Sequence, residues 1–253
     1  MKVILSPAKS LDFEKSKKLN YSTEPYFIKD SVALIKSLKK LKPKAIMELM
    51  DVSMPIAELN YDRFQKWNYP FSETEVGFSL FVFTGEAYRG LDAATLSEKE
   101  IEVAQSKLRI LSGLYGILKP SDLILPYRLE MSTSHKFSSK TNSLYSYWGD
   151  KLRKHLENEM ISDEILVNVA SNEYSKALQL SKFKHRVINC HFKEGKNGEY
   201  KAIMTFAKKA RGMMARFIIQ NNIEEIEHLK AFDSDGYHFN NELSSENEFV
   251  FTR

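Results

Sequence analysis

The order in which short apolar runs and helical periodicities alternate is what most limits the folds open to this chain. Val3 to Leu5 is an apolar run of strand length, stopped at Ser6-Pro7, and Ile165 to Val169 is another. Such runs read as buried strands. Residues 27 to 41 carry apolar side chains at helical spacing (Val32, Leu34, Ile35, Leu38, Leu41), with cations on the other side. Helices are expected to begin at Pro43 and Pro55, because proline suits the first helical turn, with Ser53 as a cap of the second. Ser97 to Glu100 reads as a capping box that opens a helix running to about Leu108. Phe78 to Phe83 is apolar and strand-like. Arg109 to Leu111 reads as a short strand, Pro126 to Met131 as extended, and Ser132 to Ser143 as a polar loop. Leu144 to Met160 and Asn172 to Leu180 read as helical. Arg186 to Phe192 and Tyr200 to Phe206 read as strands around the turn Lys196-Asn197-Gly198. Two short strands are expected near Tyr237 to Phe239 and Phe249 to Phe251. No linker divides these elements and they are not tidy βαβ repeats. The fold class is therefore α/β, one mixed-sheet domain over residues 1 to 253 surrounded by helices.

The segment Phe206 to Phe217, FAKKARGMMARF, adds a functional constraint. At about 100° per residue, Lys208, Lys209, Arg211 and Arg216 fall on one arc of a helix, opposite Ala210, Met213, Met214, Phe217 and Ile218. Gly212 and Ala215 lie within the cationic arc, where small side chains would let a ligand approach the backbone. Such a helix either offers charge to an anion or is simply a solvated surface helix. Charge is uneven around it. Residues 182 to 216 hold ten Lys or Arg and two acids, whereas residues 217 to 253 hold two cations and eight acids. A basic block beside an acidic tail suggests a surface for a polyanion, shaped or shielded by the tail. The bland reading is that both blocks keep the protein soluble.

Several function classes have no support. The start of the chain lacks a signal-peptide h-region, and no apolar run reaches membrane-spanning length, so no membrane partner is expected. The single Cys190 excludes an internal disulfide, which fits a cytoplasmic setting. No glycine-rich dinucleotide loop and no phosphate loop is present, so no cofactor is expected. The six histidines show no metal-ligand spacing, and no Gly-x-Ser-x-Gly supports a hydrolase triad.

Four further stretches carry polar chemistry. Lys9 follows the first strand at once, where it is either a surface turn lysine or a phosphate-binding group. RILSGLYGILKPSDLILPYRLEM, residues 109 to 131, combines turn glycines Gly113 and Gly116 with Tyr115, Lys119 and Arg128. It loosely resembles a helix-hairpin-helix, whose backbone N–H groups bind phosphate; structural turn glycines are the alternative. LYSYWGD, residues 144 to 150, brings Tyr145 and Trp148, either for base stacking or for the core. NVASNEYSK, residues 168 to 176, sets Asn172, Glu173, Tyr174 and Lys176 after a buried strand, as a site wall or as a helix cap.

Together with LSPAKSLDF, FTGEAYRGL, FAKKARGMMARFII, FDSDGYHF and EFVFTR, these segments resemble the YaaA family of peroxide stress resistance proteins over nearly the whole chain. The least family-like part is Ser132 to Ser143. The resemblance implies a cytoplasmic bacterial protein that helps cells survive hydrogen peroxide by keeping free iron low. It also implies an unusual mixed α/β fold with a positively charged cleft, a helix-hairpin-helix-like element and a capacity to bind DNA. Here that element would fall at Leu108 to Lys119, and the cleft would draw on Lys9, Arg128, Lys208, Lys209, Arg211 and Arg216.

Two functions follow as expectations. One is DNA binding, mainly through phosphates, by that cleft with Gly113, Gly116 and Lys119. The other is an enzyme acting on a nucleotide or nucleobase-like molecule in a pocket of Lys9, Ser6, Tyr145, Trp148, Asn172, Glu173, Tyr174 and Lys176, with Glu173 as general acid or base.

Overall fold

The computed structural model describes residues 1–14, 17, 19–72 and 74–253. Strand β1 (Lys2–Leu5) is followed by the two-residue strand β2 (Ser10–Leu11) and three helices, α1 (Ile28–Leu38), α2 (Pro43–Met50) and α3 (Met54–Lys66). Prolines stand in the first turns of α2 and α3, and Asp51, at φ 48°, turns the chain between them. Ser53 occupies the N-cap position of α3 but its side chain caps no N–H. Next come β3 (Gly77–Phe78), α4 (Ser79–Val82), β4 (Phe83–Thr84), α5 (Glu86–Leu91) and α6 (Glu98–Lys107). The reciprocal Ser97–Glu100 capping box starts α6.

Strands β5 (Leu108–Ser112), β6 (Gly116–Leu118) and β7 (Leu123–Ile124) precede α7 (Leu144–Trp148) and α8 (Lys151–Glu159). The chain ends through β8 (Leu166–Asn168), α9 (Asn172–Ser175), β9 (Val187–Lys196), β10 (Glu199–Lys201), α10 (Met204–Gln220), α11 (Ile226–Leu229), β11 (His238–Phe239) and β12 (Glu248–Thr252).

The main sheet runs β11-β12-β9-β8-β1-β5-β6, with β10 against β9. From β12 across to β5 the neighbours are parallel. β6 and β11 close the two edges antiparallel, giving the mixed sheet expected. β1 lies centrally, and Val3, Ile4 and Leu5 are at most 1% exposed, as a strand covered on both faces requires. From β1 the chain crosses to β5 on one side. It later returns through β8 to β9 and β12 on the other. The connections after β1 and β8 therefore leave in opposite directions, which makes their ends the topological switch point of the sheet.

Four segments differ from the sequence reading. Phe78 to Phe83 is not one strand: Ser79 donates through Oγ to the Lys119 carbonyl at 2.6 Å, and a helical turn forms between β3 and β4. Leu144 to Met160 is broken at Gly149, φ 52°. After β10 the chain turns helical from Met204, where a strand was expected to run to Phe206.

The fourth difference matters for function. Leu108 to Lys119 is not a helix-hairpin-helix. Leu108, Arg109 and Ile110 pair with Val3, Ile4 and Leu5, and β6 folds back on β5. Pairing with the central strand wins over any local helical tendency. A helix–turn–helix does occur, at α2 and α3.

Candidate functional site

The site at the switch point is built from strand ends. Ser6, just past β1, and Ser171, just past β8, meet there: the Ser171 amide donates to Ser6 Oγ at 2.8 Å, and Ser6 Oγ donates to Ser171 Oγ at 3.2 Å. Tyr88 of α5 donates to the Ser6 carbonyl at 3.1 Å. Two chain segments 165 residues apart are thus tied at one point.

Glu130 is the centre of the first cluster. Its Oε1 receives Arg128 Nη2 at 2.9 Å and Lys9 Nζ at 3.3 Å. Its Oε2 is buried and meets no hydrogen-bond donor among the described residues. Arg63 of α3 lies beside Arg128. Burial, and then the Arg128 charge, pull the Arg63 guanidinium below its ordinary pKa. Tyr88, Tyr127 and Tyr174 are buried here, and desolvation raises all three phenols, which keeps them neutral. Lys9 and Arg128 therefore converge, as the sequence reading placed them.

Around this cluster the expected pocket residues divide. Glu173 accepts from the Ser132 amide at 3.1 Å and from Ser132 Oγ at 3.0 Å, so the polar segment set aside as least family-like begins against the site. Tyr145 donates to the Glu173 carbonyl at 2.8 Å, and Lys176 Nζ stands 5.0 Å over the Tyr145 ring. Tyr174 is buried near Glu130. Trp148 is 0% exposed and donates to the Gly113 carbonyl at 3.1 Å, so it is core and offers no stacking face.

The glycine hairpin is equally unavailable. Gly113 and Gly116 are buried; a Cβ on Gly113 would lie 2.3 Å from the Leu129 carbonyl oxygen. Lys119 is committed to Glu159 at 2.7 Å, beside Arg109.

Helix α10 does not present the cationic arc that its sequence suggests. Gly212 is the point where α5 packs: a Cβ there would sit 1.7 Å from the Ala87 carbonyl oxygen, and one on Gly90 would sit 2.1 Å from that of Lys209. Ala215 is 0% exposed. Backbone touches backbone, so no ligand reaches the main chain at Gly212 or Ala215. Lys209 pairs with Asp235 of the acidic tail at 3.2 Å. Arg216 donates to the Leu91 and Asp92 carbonyls at 2.9 and 2.8 Å, near the Asp92 carboxylate. Lys208 is exposed, and Arg211 turns away to a polar cavity at the ends of β8 and β9. Lys209 and Arg216 line one surface pocket with Arg89, about 310 Å³ in volume, while Lys208 and Arg211 lie outside it, and the tail pairs with Lys209.

Sequence reasoning passed over a different basic stretch. Lys36, Lys39, Lys40, Lys42 and Lys44 span the end of α1 and the start of α2. Among the described residues, none of the five makes an ion pair, and all but Lys39 are exposed. Gln65 of α3 donates to the Lys39 carbonyl at 3.0 Å, which seats this run beside the end of α3 that carries Arg63 and Lys66. The signal was five lysines in nine residues with no acid. Among the described residues, no three His, Cys, Asp or Glu side chains converge as a set for a metal ion, and no helix is long and apolar enough to cross a membrane.

Comparison with known proteins places this geometry. Residues 1–243 match a family model described as peroxide stress protein YaaA. A UPF0246 protein of Aliivibrio fischeri (strain MJ11) is 48% identical over 255 residues, covering 100% of this chain and 98% of the relative. A UPF0246 protein of Flavobacterium psychrophilum is 45% identical over 253 residues, with both chains covered in full. One from Hahella chejuensis is 45% identical over 255 residues, covering 100% and 99%.

Proposed function

The chain belongs to the YaaA family of peroxide stress proteins, and we propose that it serves that response in the cytoplasm by binding DNA through phosphates. The binding surface is the cationic tract that runs from Lys9, Arg128 and Arg63 to the lysines between Lys36 and Lys44, next to the α2–α3 helix pair. One observation carries the reading: among the described residues the five lysines from Lys36 to Lys44 have no carboxylate partner, whereas Lys9, Lys119, Arg128, Lys209 and Arg216 are each paired internally. Free lysines at the surface gain from phosphate by releasing its condensed counterions, whereas a lysine already paired gains less. The adjacency of Arg63 and Arg128 also favours an anion, because like charges repel until one arrives. Occupied DNA is shielded from hydroxyl radicals made by iron, which links binding to reduced damage.

Titration of duplex DNA across salt tests the reading. Five phosphate contacts give a slope of log affinity against log salt of about −4.5. A slope near zero, or no binding in low salt, refutes it.

A second reading, an enzyme on a nucleotide or nucleobase-like molecule near Lys9 and Asn172 to Lys176, is favoured by the orphaned Glu130 Oε2. A buried carboxylate oxygen without a donor suits a ligand proton or a general base. Glu130→Gln leaving every measured turnover unchanged counts against it.

A further inference from the structure

Apart from the cationic tract, a polar ladder crosses the three parallel strands β8, β9 and β12. Asn168, Asn189 and Glu248 are register partners on neighbouring strands. Asn168 Nδ2 donates to Asn189 Oδ1 at 2.8 Å, and Asn189 Nδ2 donates to Glu248 Oε1 at 2.6 Å. Glu248 Oε2 lies 2.5 Å from His191 Nε2. Both oxygens of this carboxylate are therefore occupied. The ladder lines a cavity of about 200 Å³, which is completed by Asn172 and Ser175 of α9 and by Arg211 of α10.

Arg211 is the unexplained member. It is half-buried and, among the described residues, makes no hydrogen bond and no ion pair. Burial alone pulls its pKa down, with no carboxylate to offset it. Its guanidinium nitrogens are not enclosed by protein and Arg211 lines the cavity, where an anion can supply the opposite charge. The other polar groups of the ladder are bonded to one another, so the cavity's unmet demand is for an anion. The guanidinium fork matches two oxygens of a carboxylate or a phosphate. At about 30 Å³ per water, the space holds about seven waters. That suits a small metabolite and falls below the volume of most ligand pockets.

We propose that this cavity binds a small metabolite bearing a carboxylate or phosphate monoester, held by the Arg211 fork with the Asn172 amide and the Ser175 hydroxyl. The site is independent of the DNA tract, so the two can fail separately.

Calorimetric titration and thermal melts test it, with malonate in one arm, inorganic phosphate in the other, and ionic strength held with potassium chloride. The expected result is one saturable site per chain for at least one probe, with Tm raised by about 5 °C or more at a hundredfold excess over Kd. Which arm binds identifies the anion. Arg211→Lys keeps the charge but loses the fork, and weakens binding at least about tenfold; Asn172→Ala weakens it less. Lys40→Gln, Lys42→Gln and Lys44→Gln together leave it unchanged. The proposal is overturned if neither probe binds saturably up to about 20 mM, well beyond a millimolar Kd. It is also overturned if Arg211→Lys and Asn172→Ala bind as the parent does.

Discussion

Replacing Lys40, Lys42 and Lys44 by glutamine should cut DNA affinity by a factor set by counterion release. All three are exposed, and none is tied to a carboxylate among the described residues. Each phosphate contact adds about 0.9 to the slope of log affinity against log salt, so losing three flattens it by about 2.7. If the ionic contribution vanishes near 1 M salt, the same contacts are worth about 2.7 decades at 0.1 M. That is about 500-fold, or ~3.7 kcal/mol. The fold should tolerate the change, because exposed substitutions away from special features alter stability by about 0.5 kcal/mol or less. Fluorescence anisotropy of a labelled duplex at several salt concentrations measures both slope and affinity, with circular dichroism as the fold control. Lys209→Gln with Arg216→Gln is the comparison. Those cations already contact Asp235 and Asp92, so the loss there should stay within about tenfold. A triple variant that keeps the parent slope and binds within about twofold at 0.1 M refutes the reasoning.

Other expectations follow from packing and charge. Gly212→Ala forces a methyl into the Ala87 carbonyl, so α5 and α10 must separate; chemical denaturation should show a loss of about 3 kcal/mol or more, and a loss under about 1 would contradict the close approach. Glu159 is held at a pKa of about 2: burial acts to raise it, but Arg109 and Lys119 outweigh that and lower it from 4.5. Its stabilising contribution is thus complete above pH 4.5 and lost as pH falls towards 2, by at most about 3 kcal/mol. Glu159→Gln should flatten the acid limb of the stability curve, and an unaltered limb argues against the network. Burial pushes the Cys190 thiol up to about 12; native protein at pH 7 should resist iodoacetamide while unfolded protein reacts, and equal rates would show an open thiol. Ser97→Ala removes the hydroxyl that accepts from the Glu100 amide, while the Ser97 amide still donates to the Glu100 carboxylate; it should cost about 1 kcal/mol, read as a fall in Tm.

Local signals carried far. Proline in the first turn of α2 and of α3, the Ser97–Glu100 box, the apolar runs of β1 and β8 and the Lys196-Asn197-Gly198 turn each depend on a few adjacent residues, and the sequence alone located them. The YaaA resemblance grouped Lys9 with Arg128, and both meet Glu130. The helix-hairpin-helix that the same resemblance implies at Leu108 to Lys119 is a strand hairpin instead. Leu108 to Leu118 looks like glycines between two short apolar stretches whatever it pairs with, and only contact with β1 makes it a strand hairpin.

Charge was the least legible property. A helical wheel gives the arc on which Lys209, Arg211 and Arg216 lie, but not what stands opposite. Asp92 is 124 residues from Arg216, and Asp235 is 26 from Lys209. Periodicity is written into neighbouring residues and survives in the unfolded chain, so the sequence settles helices, strands and the α/β class. Neutralisation depends on which distant carboxylate the completed fold brings within a few ångströms. Tertiary structure alone could therefore decide that two of the four cations of the basic helix are paired and that, among the described residues, Arg211 in its cavity and the lysines from Lys36 to Lys44 are not.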